Sequence, residues 1–138
     1  MRVWTVFGGL LVASSAFAGM TLNVDSMTVN GFEVRQLSCE VSKGGLFASA
    51  EISGAIAAQK SAFDACVPSG AAYRIKWQTA GGTLLSSSVE AGSNDAKKAC
   101  IGAALKQLKS GSDATCSATI LVGEQAAATA AADALKGP

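Results

Sequence analysis

Four cysteines and no histidine set the tightest limits on this 138-residue chain. Cys39, Cys66, Cys100 and Cys116 contain no Cys-x-x-Cys pair, so neither a structural zinc site nor a thioredoxin-like dithiol has the spacing it needs. Without histidine, the His-ligated metals and haem, Ser-His-Asp and Cys-His catalysis, and the usual proton switch near neutral pH all drop out. No metal or cofactor is expected. An even cysteine count in a small exported domain reads instead as two disulfides. Cys66 closes one helical pattern and Cys100 lies within the next, each on its apolar face, whereas Cys39 and Cys116 fall in strand-like segments. Pairing like with like favours a nested arrangement, Cys66 with Cys100 inside Cys39 with Cys116. The sequential arrangement, Cys39 with Cys66 and Cys100 with Cys116, is the alternative.

Export itself is read from the first residues. Arg2 is followed by an apolar run from Val3 to Val12, then Ser14, Ser15 and the small-residue step Ala16-Phe17-Ala18. That order of charge, apolar middle and Ala-x-Ala end is a secretory signal peptide over residues 1–18, with cleavage after Ala18. The run is too short and too broken by Gly8 and Gly9 for a membrane anchor. Gly19, where a lipoprotein would carry cysteine, argues against a lipid-modified terminus. Loss of Arg2 leaves equal numbers of acidic and basic side chains. So balanced a charge, in an exported protein, excludes nucleic acid as the expected partner and gives no strong pull toward anionic lipid. The expected product is periplasmic or secreted, without stable membrane insertion.

The mature chain divides by hydrophobic period. Thr21–Val29 and Phe32–Val41 are rich in β-branched and aromatic residues and flank Asn30-Gly31, the signature of a type I′ hairpin. Ile52, Ile56, Gln59, Phe63, Cys66 and Val67 recur on one face of a helix from about Ala48 to Cys66, stopped by Pro68, Ser69 and Gly70. Tyr73, Ile75 and Trp77 alternate with Arg74, Lys76 and Gln78. Gly81-Gly82 turns that strand back into Thr83–Glu90, where Leu85 and Val89 are expected to face the core. Ser93 or Asn94 caps a second helix carrying Cys100, Ile101, Ala104, Leu105 and Leu108 and ending near Lys109 and Gly111. Thr115–Val122 is the closing strand. The expected fold is α+β: an antiparallel sheet of two hairpins plus a final strand, packed against two helices and stabilised by disulfides. Residues 19–123 form the single domain, and the alanine-rich tail 124–138 is expected to be a frayed helix or disordered.

Catalytic constellations are sparse. The glycines form no phosphate-binding motif. Ser86, Ser87 and Ser88 lack a histidine base, and a lysine base would need a dry pocket beside them. Glu51, Asp64, Glu90, Asp95 and Asp113 are scattered over different elements. Arg74, Lys76, Lys97, Lys98, Lys106 and Lys109 read as solvated faces, and Trp77 as a core anchor.

The helix ending in Phe63-Asp64-Ala65-Cys66, Gly70 before the strand Tyr73–Trp77, the Gly81-Gly82 turn, the strand out to Val89, and Ala99-Cys100 with Ala104 and Leu105 together resemble the TonB-like carboxy-terminal domains, in particular the AgmX/PglI type of bacterial envelope proteins. The resemblance spans about residues 48–122. It implies an αββαβ module acting as a periplasmic interaction surface. A retained membrane helix, a proline-rich spacer and an Arg-rich final strand are lacking, so energy transduction is not part of what it implies. The expected function is a non-catalytic binding module of the bacterial envelope, not an enzyme, with a protein or peptide partner. The alternatives are a small secreted carboxylate-dependent hydrolase and a structural subunit of a surface assembly.

Overall fold

The computed structural model describes residues 20–43 and 47–135; the expected signal peptide lies outside them. Five strands form one antiparallel sheet: β1 (Met20–Val29), β2 (Phe32–Lys43), β3 (Ala71–Ala80), β4 (Thr83–Gly92) and β5 (Asp113–Val122). Their spatial order is β1-β2-β5-β3-β4, so the last strand inserts between the two hairpins. Asn30 and Gly31 (φ 52° and 80°) and Gly81 and Gly82 (φ 61° and 80°) supply the paired positive dihedrals that tight hairpins of matching twist require.

One face of the sheet carries the main core. Val34, Leu37, Val41, Tyr73, Ile75, Trp77, Ile120 and Val122 meet Ile52, Ile56, Phe63, Ile101, Leu105 and Leu108 from the helical layer. Phe32 and Phe63 stack with ring centroids 5.8 Å apart. The helical layer differs from the expected pair of unbroken helices. The first divides into α1 (Ala48–Ala57) and α2 (Lys60–Cys66), because the Gln59 N–H bonds the Ile56 carbonyl in a tight turn while its own carbonyl accepts from Phe63. The break carries no proline or glycine, and it lets Phe63 reach Phe32 and Cys66 reach its partner. The second begins with a 3-10 turn (Asp95–Lys97) and continues as α3 (Lys98–Leu105), shorter than the pattern predicts. Neither expected cap serves: Asn94 makes no side-chain capping bond, and the Ser93 hydroxyl accepts from the Ala72 N–H instead.

Two further expectations are corrected. Leu85 is 58% exposed, whereas Leu84 packs against the core. Gln78 pairs with Ser86 but Thr79 with Leu84, so Leu85 is the extra residue of a β-bulge and the inward alternation shifts by one. Over residues 125–135 the alanine-rich segment is a helix with a seat on the sheet that its composition did not suggest. It is helix α4 (Gln125–Leu135), lying on the opposite face of the sheet, where Ala128 and Ala132 bury Ala72 and Leu121. Alanine offers little apolar surface, but its small side chain lets a helix approach a sheet closely. Polar contacts add to this seat: Arg35 pairs with Asp133 at 3.0 Å, and the Gln125 amide donates to Glu33 at 2.8 Å. The folded unit therefore extends past Gly123.

The disulfides are nested: Cys39–Cys116 and Cys66–Cys100. Cys39 and Cys116 stand directly opposite on β2 and β5, with Cα atoms 4.1 Å apart, and both are buried. Cys66–Cys100 ties α2 to α3. Cys66 is buried, but Cys100 lies on the exposed side of α3 and not within its apolar face.

Candidate binding surface

The five carboxylates singled out in the sequence lie on different elements, each beside a local partner. Glu51 accepts from the Ser112 hydroxyl at 2.6 Å. Asp64 pairs with Lys60 and accepts from the Gly123 N–H, which locks α2 to the end of β5. Glu90 faces Lys76 at 3.8 Å, Asp95 pairs with Lys98, and Asp113 accepts from the Gly81 N–H. Each is engaged within its own neighbourhood. Among the described residues, no group of three or more His, Cys, Asp or Glu is placed to hold a metal. Lys76 does stand opposite Ser88, yet its side chain is 57% exposed, so the dry pocket a Ser-Lys pair requires is not formed.

The aromatic residues are structural. Trp77 and Tyr73 are both buried in the core. The Tyr73 hydroxyl donates to the Asn94 carbonyl at 2.7 Å, and burial, reinforced by the charge of Asp95, raises its pKa above the ordinary phenol value. Gly92 lies across from Tyr73, and a Cβ there would run into its ring. Gln59, singled out on the apolar face of its helix, is half-buried and reaches the Gln107 carbonyl at 3.5 Å. It occupies the boundary of the core.

Among the described residues, the two sheet edges and part of the sheet face away from α1–α3 carry no further strand or helix. On that face the strand registers align side chains in rows. Thr21, Glu40, Thr115, Gln78 and Ser86 form one row, and Asn23, Ser38, Ser117, Lys76 and Ser88 the next. All but the half-buried Ser117 are exposed. A third row, Ser26, Arg35, Thr119 and Arg74, meets the margin of α4. Within it the Thr119 hydroxyl is buried without a hydrogen-bond partner among the described residues, which ordinarily costs about 1–3 kcal/mol. The sequence shows Arg74, Lys76 and Gln78 as the polar side of one strand, but not the polar rows that neighbouring strands complete. The signal was present as Thr115, Ser117 and Thr119, spaced by two and opposed to Cys116, Ala118 and Ile120.

The two outer strands differ as edges. β4 pairs only with β3, and its ladder is broken by two bulges, at Leu85 and at Glu90. Bulged edges twist away from incoming strands. Among the described residues β1 pairs only with β2, in one register from Met20–Val41 to Val29–Phe32 that skips the Asp25–Gln36 position, where the in-out alternation of β1 reverses. It carries one charge, Asp25, and no proline or lysine. Its inward side chains, Met20, Leu22, Val24, Met27 and Val29, pack on the core but stay half-exposed. β1 is thus the less protected of the two edges, with one interruption and one charge, both at Asp25.

No helix of the described residues is long and apolar enough to cross a membrane. Comparison with known proteins finds no matching family model, no matching curated protein and no matching solved structure.

Proposed function

We propose that this protein is an exported, non-catalytic binding module of the bacterial envelope, periplasmic or secreted, that takes up an extended segment of a protein partner along β1. The observation that carries the reading is the pairing of β1: ten residues long, bonded on one side only, and lined on its inner side by half-exposed apolar side chains. A strand added there gains main-chain hydrogen bonds along the edge, and its alternate residues cover Leu22, Val24 and Met27. The partner's chemistry follows. It is an extended stretch of alternating character, apolar toward the helical layer and polar beside Thr21, Asn23 and Thr28.

Two disulfides favour an oxidising compartment. The resemblance to TonB-like domains supports an interaction role. So does the dispersal of Glu51, Asp64, Glu90, Asp95 and Asp113, each beside a local partner. Photo-crosslinking groups placed singly at Thr21, Thr28, Ser49 and Ser86, with the protein exposed to periplasmic and culture fractions, test the site. Adducts are expected from Thr21 and Thr28. Adducts arising solely from Ser49 on α1 would overturn the edge assignment. The mass of the protein recovered from those fractions tests export: a chain beginning at Gly19 is expected, and an unprocessed chain in the cell interior contradicts it.

A further inference from the structure

A second cluster of polar groups lies on the outer face of the sheet, apart from the β1 edge. In the third row of the outer face, β2, β5 and β3 bring Arg35, Thr119 and Arg74 side by side. Arg35 is fully engaged, bonding Glu33 at 2.6 Å and Asp133 at 3.0 Å. Arg74 has no carboxylate partner among the described residues. Its guanidinium donates instead to the Gln36 side-chain oxygen at 3.2 Å.

Gln36 is itself unusual. Its φ of 54° lies in the left-handed region that a side chain other than glycine, asparagine or aspartate seldom enters. The register between β2 and β5 slips there, from Arg35–Thr119 to Ser38–Ser117, so the backbone bulges and the Gln36 amide comes to the side of Arg74. Two small cavities meet at Thr119. One, of about 100 Å³, is lined by Gln36, Arg74, Ser117, Ala118 and Thr119. The other, of about 40 Å³, is lined by Asp25, Arg35, Gln36, Thr119 and Ala132. Thr119 is 97% buried, and its hydroxyl is the unpartnered one. A strained backbone position and a guanidinium without a carboxylate partner thus border the larger cavity, and Thr119, whose hydroxyl lacks a partner among the described residues, lines both.

We propose that the cavity between Gln36 and Arg74 binds a carboxylate group. Arg74 supplies its remaining guanidinium N–H groups, the hydroxyls of Ser117 and Thr119 supply two further donors, and Gln36 holds the guanidinium in position. Charge selects the ligand class. The arginine opposite is already balanced by Glu33 and Asp133, and Asp25 borders the far cavity, so one positive charge is free. A monoanion matches that charge and a dianion exceeds it. A planar carboxylate also fits the guanidinium fork, and the cavity admits a headgroup of that size and little more.

The test is a titration of the disulfide-intact protein with sodium acetate at constant ionic strength, read by backbone amide shifts, with inorganic phosphate at pH 8 as the parallel arm. Saturable shifts at residues 36, 74 and 117–119 are expected with acetate. Arg74→Gln should weaken acetate binding at least tenfold, and Thr119→Val several-fold, while the thermal midpoint of Thr119→Val stays level or rises. Absence of saturable shifts at those amides, or acetate binding unaffected by Arg74→Gln in a folded variant, would overturn the proposal. Phosphate binding there as tightly as acetate would overturn the carboxylate assignment. Gln36→Gly separates positioning from fold. Relief of the dihedral should raise the thermal midpoint while acetate binding falls, and an unchanged affinity would remove Gln36 from the site.

Discussion

Gly123 shows how much one missing side chain decides. It joins β5 to α4 at φ 74°, and a Cβ there would collide with the Val67 carbonyl and lie 2.7 Å from the Gly70 nitrogen. Gly123→Ala should lower stability by about 2–3 kcal/mol in urea unfolding. Gly54 is the opposite case, an exposed helical position where a Cβ meets nothing within 4 Å. Gly54→Ala should raise stability by roughly 0.5–1 kcal/mol in the same measurement. Glu124, the next residue along, accepts hydrogen bonds from the Ala126 and Ala127 N–H groups at 3.0 and 2.9 Å. Those bonds hold its carboxyl below the ordinary value of 4.5. Because the folded-state pKa is the lower one, the stabilisation is complete above about pH 4.5 and is lost as pH falls through the depressed value. The stability difference between the natural protein and Glu124→Ala should therefore shrink on acidification. A gap constant across that range would contradict the capping role.

At the scale of elements, strand identity was legible because alternation and turn chemistry agreed. Asn30-Gly31 and Gly81-Gly82 marked both hairpins, and Tyr73, Ile75 and Trp77 pointed to the core, as they do. The bulge at Leu85 was not legible, since one extra residue reverses the facing of what precedes it without any change in composition. The break after Ala57 was hidden for a similar reason: it serves the docking of Phe63 and Cys66, a tertiary need with no local marker. The seat of α4 was missed because alanine reads as a weak anchor when the surface it meets is unknown. Ala72 and Leu121 provide that surface, and each belongs to a strand whose other face is also buried. Removing residues 124–138 should thus re-expose Leu121, at a cost of about 2 kcal/mol for that side chain alone, and shift the unfolding midpoint accordingly. A midpoint unchanged by the truncation would mean that α4 adds nothing to the fold.

Across the whole molecule, the two covalent links divide the labour. Cys39–Cys116 closes 77 positions and stitches the hairpins' junction within the sheet, whereas Cys66–Cys100 closes 34 and binds one helix to another. By chain entropy alone the outer link is worth about 4.5 kcal/mol and the inner about 3.8. Paired serine replacement at Cys39 and Cys116 should therefore destabilise more than at Cys66 and Cys100, as read by thermal unfolding, with the reverse order contradicting this account. The nested pairing is the one the cysteines' local settings favour, although Cys100 is not on the apolar face as that ranking supposed; the polar rows and the Gln36 bulge were not legible, because they exist only once β5 has inserted between β2 and β3. With both links in place the helix-covered face is buried, and β1 is the edge proposed to accept a partner. Hydrogen exchange of the β1 amides, measured with and without the partner captured from envelope fractions, addresses that claim directly. Slowed exchange concentrated in residues 20–29 is the predicted result. Protection confined to α1–α3 or to β4, with β1 exchanging as before, would contradict it.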